Sequence, residues 1–202
     1  MGRVDVEYAG YTHRRYDIDP LTPPLVAARL TMLEGYKPSD LLVQLLEGDL
    51  QATPPPCDIR QVITEDDWAA YRRLDELWWR ESSTDPYDPE LHGELSRSFR
   101  AKQPHVYSWL VWVDGGARAF LSSWPGENGI GMVEDLYTEP EYRHRGLATA
   151  LLARCVDDAR ERGVGPILIN ASPSDTPKLM YAALGFRPLY LSRSYTRVLN
   201  AK

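Results

Sequence analysis

The stretch Arg143-His144-Arg145-Gly146-Leu147-Ala148 places two guanidiniums around a glycine where a strand gives way to a helix. Gly146 and Ala148 leave little side-chain bulk, so a ligand can approach the backbone closely. The free amides at the start of a helix carry partial positive charge and make an anion site. Acids are usually favoured at a helix start, yet from Arg143 to Cys155 there are Arg143, Arg145 and Arg154 and no acid at all. That inversion is expected where a diphosphate sits. Just upstream, Glu134 and Asp135 interrupt the apolar run VEDLY. Adjacent residues of a regular strand face opposite ways, so at least one of these acids points toward a cleft rather than water. Glu134 shares a face with Leu136 and Thr138 in a regular strand, and a bulge would change that.

Several elements must position these groups. Gln51–Pro56 (QATPPP) contains three successive prolines, which exclude helix and a central strand, and reads as a linker. It separates an N-terminal extension, residues 1–56, from a domain of residues 57–202. In the extension, residues 11–19 are extended and residues 21–35 form a short helix with Thr22 as its cap. Leu41–Leu46 is an apolar run of strand length. The second part opens with a strand at Asp58–Ile63, then a helix capped by Thr64 that runs to about Trp79 with Trp68, Tyr71, Leu74 and Trp78 on one face. A helix over Pro89–Ala101 follows, then two strands around Asp114-Gly115-Gly116, a hairpin signal. A strand to Tyr137, the helix Gly146–Arg162, the strand Pro166–Ala171, the helix Thr176–Leu184 and the strand Leu189–Leu199 complete the order β-α-α-β-β-β-α-β-α-β. This is a mixed α/β sheet.

Arg143-x-x-Gly146-x-Ala148 after a strand resembles the acetyl-CoA-binding motif of the GNAT superfamily of N-acetyltransferases, and Tyr181-x-x-Leu184-Gly185-Phe186 resembles that family's signature on its last helix. The resemblance covers about residues 57–202. It implies a GNAT acyl-CoA N-acyltransferase fold: a mixed central sheet with a splayed strand pair, Val133–Thr138 and Pro166–Ala171, here with an N-terminal α/β extension. It implies acetyl-CoA as cofactor, with backbone groups of Leu136, Tyr137 and Thr138 on the pantetheine arm. The diphosphate would lie on Arg143, His144, Arg145, Gly146, Leu147 and Ala148. It also aligns Tyr181 with the tyrosine that relatives use as general acid. One position departs from the family: Ser174 stands where asparagine is common, and either contacts the cofactor or belongs with Asp175 and Thr176 to a helix cap.

The implied reaction is acetyl transfer to a primary amine of a small molecule or peptide by direct attack in a ternary complex. The amine must first lose a proton, for which Glu134 is the leading base or amine anchor, with Asp135 or a water chain as alternatives. Tyr181 is suited to protonate the leaving thiolate. A catalytically silent acyl-CoA sensor of the same fold is the competing reading, and a cofactor-free oligomeric scaffold is the third.

Bulk properties narrow the partners. Net charge is -6 and no Lys/Arg-rich stripe is present, which disfavours nucleic acid. No apolar run approaches the ~20 residues of a membrane span and the first residues lack the apolar centre of a signal peptide, so a cytoplasmic protein is expected. Cys57 and Cys155 are the two cysteines, and His13, His92, His105 and His144 are scattered, so no metal site is expected. A homodimer is compatible with this composition. Leu33-Glu-Gly35-Tyr36-Lys37-Pro38 echoes Leu184-Gly185-Phe186-Arg187-Pro188, each before a strand. Residues 1–56 are therefore either the remnant of a second GNAT-like half or an unrelated extension with a common helix stop.

Overall fold

The computed structural model describes residues 6–8, 10–83, 86–126 and 128–199. Contacts divide the chain into two units. The first comprises Met1–Gln44, Asn170–Met180 and Pro188–Lys202, and the second Leu45–Ile169 and Tyr181–Arg187.

The elements are β1 (His13–Ile18), α1 (Pro24–Thr31), β2 (Lys37–Leu46), β3 (Asp58–Gln61), α2 (Glu65–Ser82), α3 (Pro89–Ala101), β4 (Tyr107–Val113), β5 (Gly116–Pro125), β6 (Gly131–Thr138), a 3-10 turn (Pro140–Tyr142), α4 (Leu147–Glu161), β7 (Ile167–Ala171), α5 (Pro177–Ala183) and β8 (Arg187–Val198). From β3 onward the order is the one expected from the sequence. The strands belong to a mixed α/β fold, with β6 and β7 parallel and the hairpin-linked strands antiparallel.

In the first unit β8 lies between β1 and β2. It pairs antiparallel with β1 from His13↔Val198 to Ile18↔Arg193. Arg193 grips Asp40 of β2 through Nε and Nη2 at 2.6 and 2.7 Å. Thr22 does not cap α1. Its hydroxyl accepts from the Asp19 amide at 3.1 Å and donates to the Asp19 carboxylate at 3.0 Å, so it is spent on the preceding turn. Pro23 occupies the cap position instead and contributes no side-chain bond.

In the second unit the strand order is β7-β6-β5-β4-β3. Local chemistry explains the element boundaries. Thr64 and Asp67 form a reciprocal capping box at α2, and Glu65 and Asp66 add negative charge to the same turn. Asp88 accepts from the amides of Glu90 and Leu91 to start α3, with Pro89 in the first turn. Asp114 (φ 52°) and Gly115 (φ 74°) turn β4 into β5, both left-handed, as a two-residue hairpin loop requires.

Helices cover both faces of this sheet. On one, α2 packs Trp68, Tyr71 and Leu74 against Leu110, Phe120 and Tyr137. Tyr71 and Phe120 meet edge-on at 4.8 Å between centroids. On the other, α4 buries Leu151, Leu152, Cys155, Val156 and Ala159. Phe120 is fully buried, and emptying such a site costs about 3–5 kcal/mol.

Candidate active site

Three features of the second unit converge on β6. The first is a bulge. On β5, Phe120 and Ser122 are separated by one residue; their partners on β6, Tyr137 and Glu134, are separated by two. The extra residue is accommodated at Asp135, whose φ is 57°. Val133 pairs with Ser123 on the α4 side, where Ser123 bonds the Cys155 thiol. Glu134 pairs with Ser122, whose hydroxyl bonds Tyr71 on the α2 side. Beyond the bulge Tyr137 also lies on the α2 side, opposite Phe120. Regular alternation from Glu134 through Leu136 to Thr138 therefore does not hold, and Glu134 shares its face with Tyr137.

The bulge sets the electrostatics. Burial, then the charges of Glu134 and Asp75, push the Asp135 carboxyl up to about 6, against the pull of Lys102. Burial also raises Glu134, again opposed by Lys102. Among the described residues neither carboxylate has a hydrogen-bonding or ion-pair partner. The surrounding wall is aromatic: Tyr71, Trp78 and Phe120, with the Lys102 ammonium held over Phe99 and Trp124 at 4.5 and 4.9 Å. Such an arrangement can take a proton from an ammonium group and hold its positive charge.

The second feature is an interrupted ladder. β6 and β7 pair in parallel at Gly131↔Ile167, Met132↔Leu168 and Val133↔Ile169. Within these pairs the register ends at Val133, while β6 runs on to Thr138. Glu134 through Thr138 thus leave backbone groups on that edge for a ligand. Leu136 and Tyr137 lie on this free stretch. Thr138 does too, but its carbonyl already accepts from Arg143 Nε at 3.0 Å.

The third feature is the start of α4. Its cap is Gly146, left-handed at φ 78°, with no side-chain cap bond and no acid in the first turn. His144 is also left-handed, at φ 60°. Ala150 is the first amide to close a helical bond, onto Gly146 O at 2.9 Å. The amides of Leu147, Ala148 and Thr149 precede it and have no carbonyl within the helix to bond. Both α2 and α3 carry side-chain caps; α4 presents bare amides in an alternating left-handed turn, the geometry of an anion nest. Gly146 is required twice over. A Cβ there would meet Pro55 Cγ at 2.8 Å, besides the strain of the positive φ.

The arginines around the loop have partners within the chain. Arg143 is held by both oxygens of Glu81 at 2.7 and 2.6 Å. Arg145 lies over Tyr142 at 4.7 Å and donates to Glu141 O. Arg154 sits two turns into α4, over Trp109 at 4.6 Å and beside Asp158 and Glu161, so it belongs to the helix flank and not to the nest. Glu139, buried, links Arg73 and Arg118 behind the loop at 2.5 and 3.1 Å. Glu81 and Glu139 carried no sequence signal and Pro55 only that of a linker, since each acts through a residue distant in the chain.

Tyr181 is buried at the end of α5. Phe186 N–H donates to Tyr181 O and Gly185 N–H to Ala182 O, with Gly185 at φ 100°. The Tyr181 and Phe186 rings lie 6.1 Å apart. Y-x-x-L-G-F is thus physically a Schellman helix stop with its apolar contact. Ser174 falls in the first unit, its hydroxyl 2.8 Å from that of Ser172. Lys178 donates to Asp175 O. Among the described residues no group of three His, Cys, Asp or Glu side chains could hold a metal ion.

A sequence profile described as the acetyltransferase (GNAT) family matches residues 68–186, and the chain belongs to that family. Glucosamine 6-phosphate N-acetyltransferase of Trypanosoma brucei brucei is 32% identical over 62 residues, which are 31% of this chain and 41% of that enzyme. The chain thus matches less than half the length of that relative. Among solved structures, a tandem GNAT protein from the clavulanic acid biosynthesis pathway superposes with a TM-score of 0.69 at 17% identity, covering 99% of this chain and 68% of that one. An aminoglycoside 6'-N-acetyltransferase complexed with coenzyme A gives 0.55 at 12% identity, covering 72% of this chain and 98% of its own. These structural likenesses show the fold.

Proposed function

We propose that the protein transfers acetyl from acetyl-CoA to a primary amine of a small molecule or peptide, by direct attack with both substrates bound. The observation that carries this reading is the free edge of β6 leading from the Glu134–Asp135 bulge toward an uncapped helix start in the same unit. The residues fit the cofactor. Leu136 and Tyr137 offer backbone groups to an extended amide-bearing arm, and His144, Arg145, Gly146, Leu147 and Ala148 offer a nest to a diphosphate. Arg143 joins them once it leaves Glu81. Thr138 contributes its amide edge.

Acetyl-CoA supplies the thioester that is attacked. The protein's own groups manage the protons. Asp135, whose carboxyl titrates near 6, is ionised at neutral pH and takes a proton from the incoming ammonium. Glu134 anchors the cationic amine beside it. Tyr181 protonates the leaving thiolate. The transferase domain in this proposal is residues 57–202, with 1–56 as an extension derived from a second GNAT-like half. In support, Gly35 and Gly185 are both left-handed, at φ 77° and 100°, and each stop is followed by a strand starting at the basic residue, Lys37 and Arg187. The proposed setting is the cytoplasm, with an amine and not nucleic acid as partner. Both cysteines are free, which suits a reducing compartment.

Calorimetry with coenzyme A, followed by an amine screen read by free thiol release, tests the proposal. Micromolar binding and amine-dependent thiol release are expected. Binding without turnover by any amine, and slow thioester loss unchanged in Glu134→Gln and Tyr181→Phe, would instead identify a sensor. No binding to folded protein would overturn the reading altogether.

A further inference from the structure

Asp75 and His92 take no part in the reaction as proposed, yet both are drawn toward it. Trp68, Tyr71, Asp75 and Trp78 recur at three- to four-residue spacing and form one stripe of α2. Tyr71 and Trp78, on either side of Asp75, both touch the Phe120 ring, at 4.8 and 6.2 Å. Phe120 and Ser122 are the β5 residues that bracket the bulge. The Asp75 carboxyl therefore faces the place where Asp135 breaks the strand.

His92 holds that carboxyl in position. Its Nδ1 lies 3.3 Å from Asp75 Oδ2, and its ring is wedged between Trp79 at 4.7 Å and Tyr87 at 4.5 Å. The residue is 5% exposed. Its Nε2 is buried and has no hydrogen-bond partner among the described residues. With an aromatic ring on either side, the imidazole presents Nδ1 to Asp75.

We propose that Asp75, oriented by His92, is a positioning residue that sets the charge state of Asp135, and with it the pH range over which acetyl transfer runs. This rests on Asp135 being the base. Two carboxylates in one poorly solvated pocket raise each other's affinity for a proton. Among the described residues, the titratable groups acting on Asp135 are Tyr71 and Asp75 from α2, Glu134 from its own strand and Lys102 beyond α3, with His92 of α3 facing Asp75. Burial pushes the Tyr71 phenol upward, so it stays neutral. Burial raises Asp75 as well, and His92 opposes that by favouring the charged form. His92 thereby shifts Asp75 toward the charged form that acts on Asp135.

The test is a side-chain carbon-13 NMR titration of the Asp135 carboxyl in the full chain without ligand. Asp75→Asn is expected to lower its midpoint by roughly half to one pH unit. His92→Leu should lower the midpoint too, because Asp75 without its donor holds its proton to higher pH. His92→Asn places an amide donor where Nδ1 stood and should retain the native midpoint. An unchanged midpoint in folded Asp75→Asn overturns the proposal. Should that variant not fold, the His92→Leu and His92→Asn pair decides by the same comparison. The acid limb of the pH–rate profile should move with the NMR midpoint. If the midpoint moves and the limb does not, Asp135 is not the base, while the control exerted by Asp75 stands.

Discussion

Asp135 adopts a left-handed backbone, and its burial opposes ionisation. In the folded protein the carboxyl holds its proton up to about 6; an ordinary aspartate releases it near 3.8. Between those values the folded chain binds more protons than the unfolded one, so stability falls as pH rises through this window. Asp135→Asn removes that penalty. Thermal melts should show a gain on the order of 2 kcal/mol above pH 6 that disappears below about pH 4, together with a loss of turnover of roughly 10²–10⁴-fold. A stabilisation equal at both ends of the range would mean that the charge is not the cause. Arg143 gives a second expectation. Its Glu81 partner is half-exposed and worth little to stability. It nevertheless competes with any diphosphate for the same guanidinium. Glu81→Gln should tighten coenzyme A binding by about two- to fivefold at low salt, an effect that should fade near about 0.5 M salt. At this scale the sequence was legible in residue type and blind to pairing. It named Glu134, Asp135, Arg143 and Tyr181, but Asp75, His92 and Glu81 acquire meaning only through neighbours far away in the chain.

Elements were more legible than contacts, because their boundaries are written locally. Thr64 with Asp67, Asp88 with Pro89, and Asp114 with Gly115 each announce a structure within four residues, and each forms. Thr22 is an exception. Asp19 lies three residues before it and captures the hydroxyl that would have capped α1. The bulge in β6 is another, since the apolar and acidic order VEDLY fits a regular strand equally well and only the register against β5 distinguishes them. Gly146 carries the prediction that belongs to this scale. Gly146→Ala meets both a left-handed backbone and the Pro55 ring. It should cost about 1–3 kcal/mol and abolish coenzyme A binding. Combining it with Pro55→Gly should recover part of the stability in chemical denaturation, but not all, because the backbone strain remains. Full recovery would assign the whole cost to the ring.

Across the whole molecule, sequence patterning separated residues 1–56 at the triple proline, and the contacts group Met1–Gln44 with Asn170–Met180 and Pro188–Lys202. Periodicity along one segment carries no information about which distant strand it will join, so the pairing of β1 and β2 with β8 was out of reach. A chain of residues 57–202 leaves both edges of β8 bare. It should be poorly soluble and form higher-order species in size-exclusion chromatography, where the full chain runs as a defined particle. A well-behaved fragment of that length would show that β8 needs neither neighbour. The placement of β8 has a temporal side as well. Its two companions are synthesised long before it, and neither can complete its ladder until that strand has emerged. Assembly of this unit therefore waits for β8, slow for topological reasons and exposed to mispairing until it pairs.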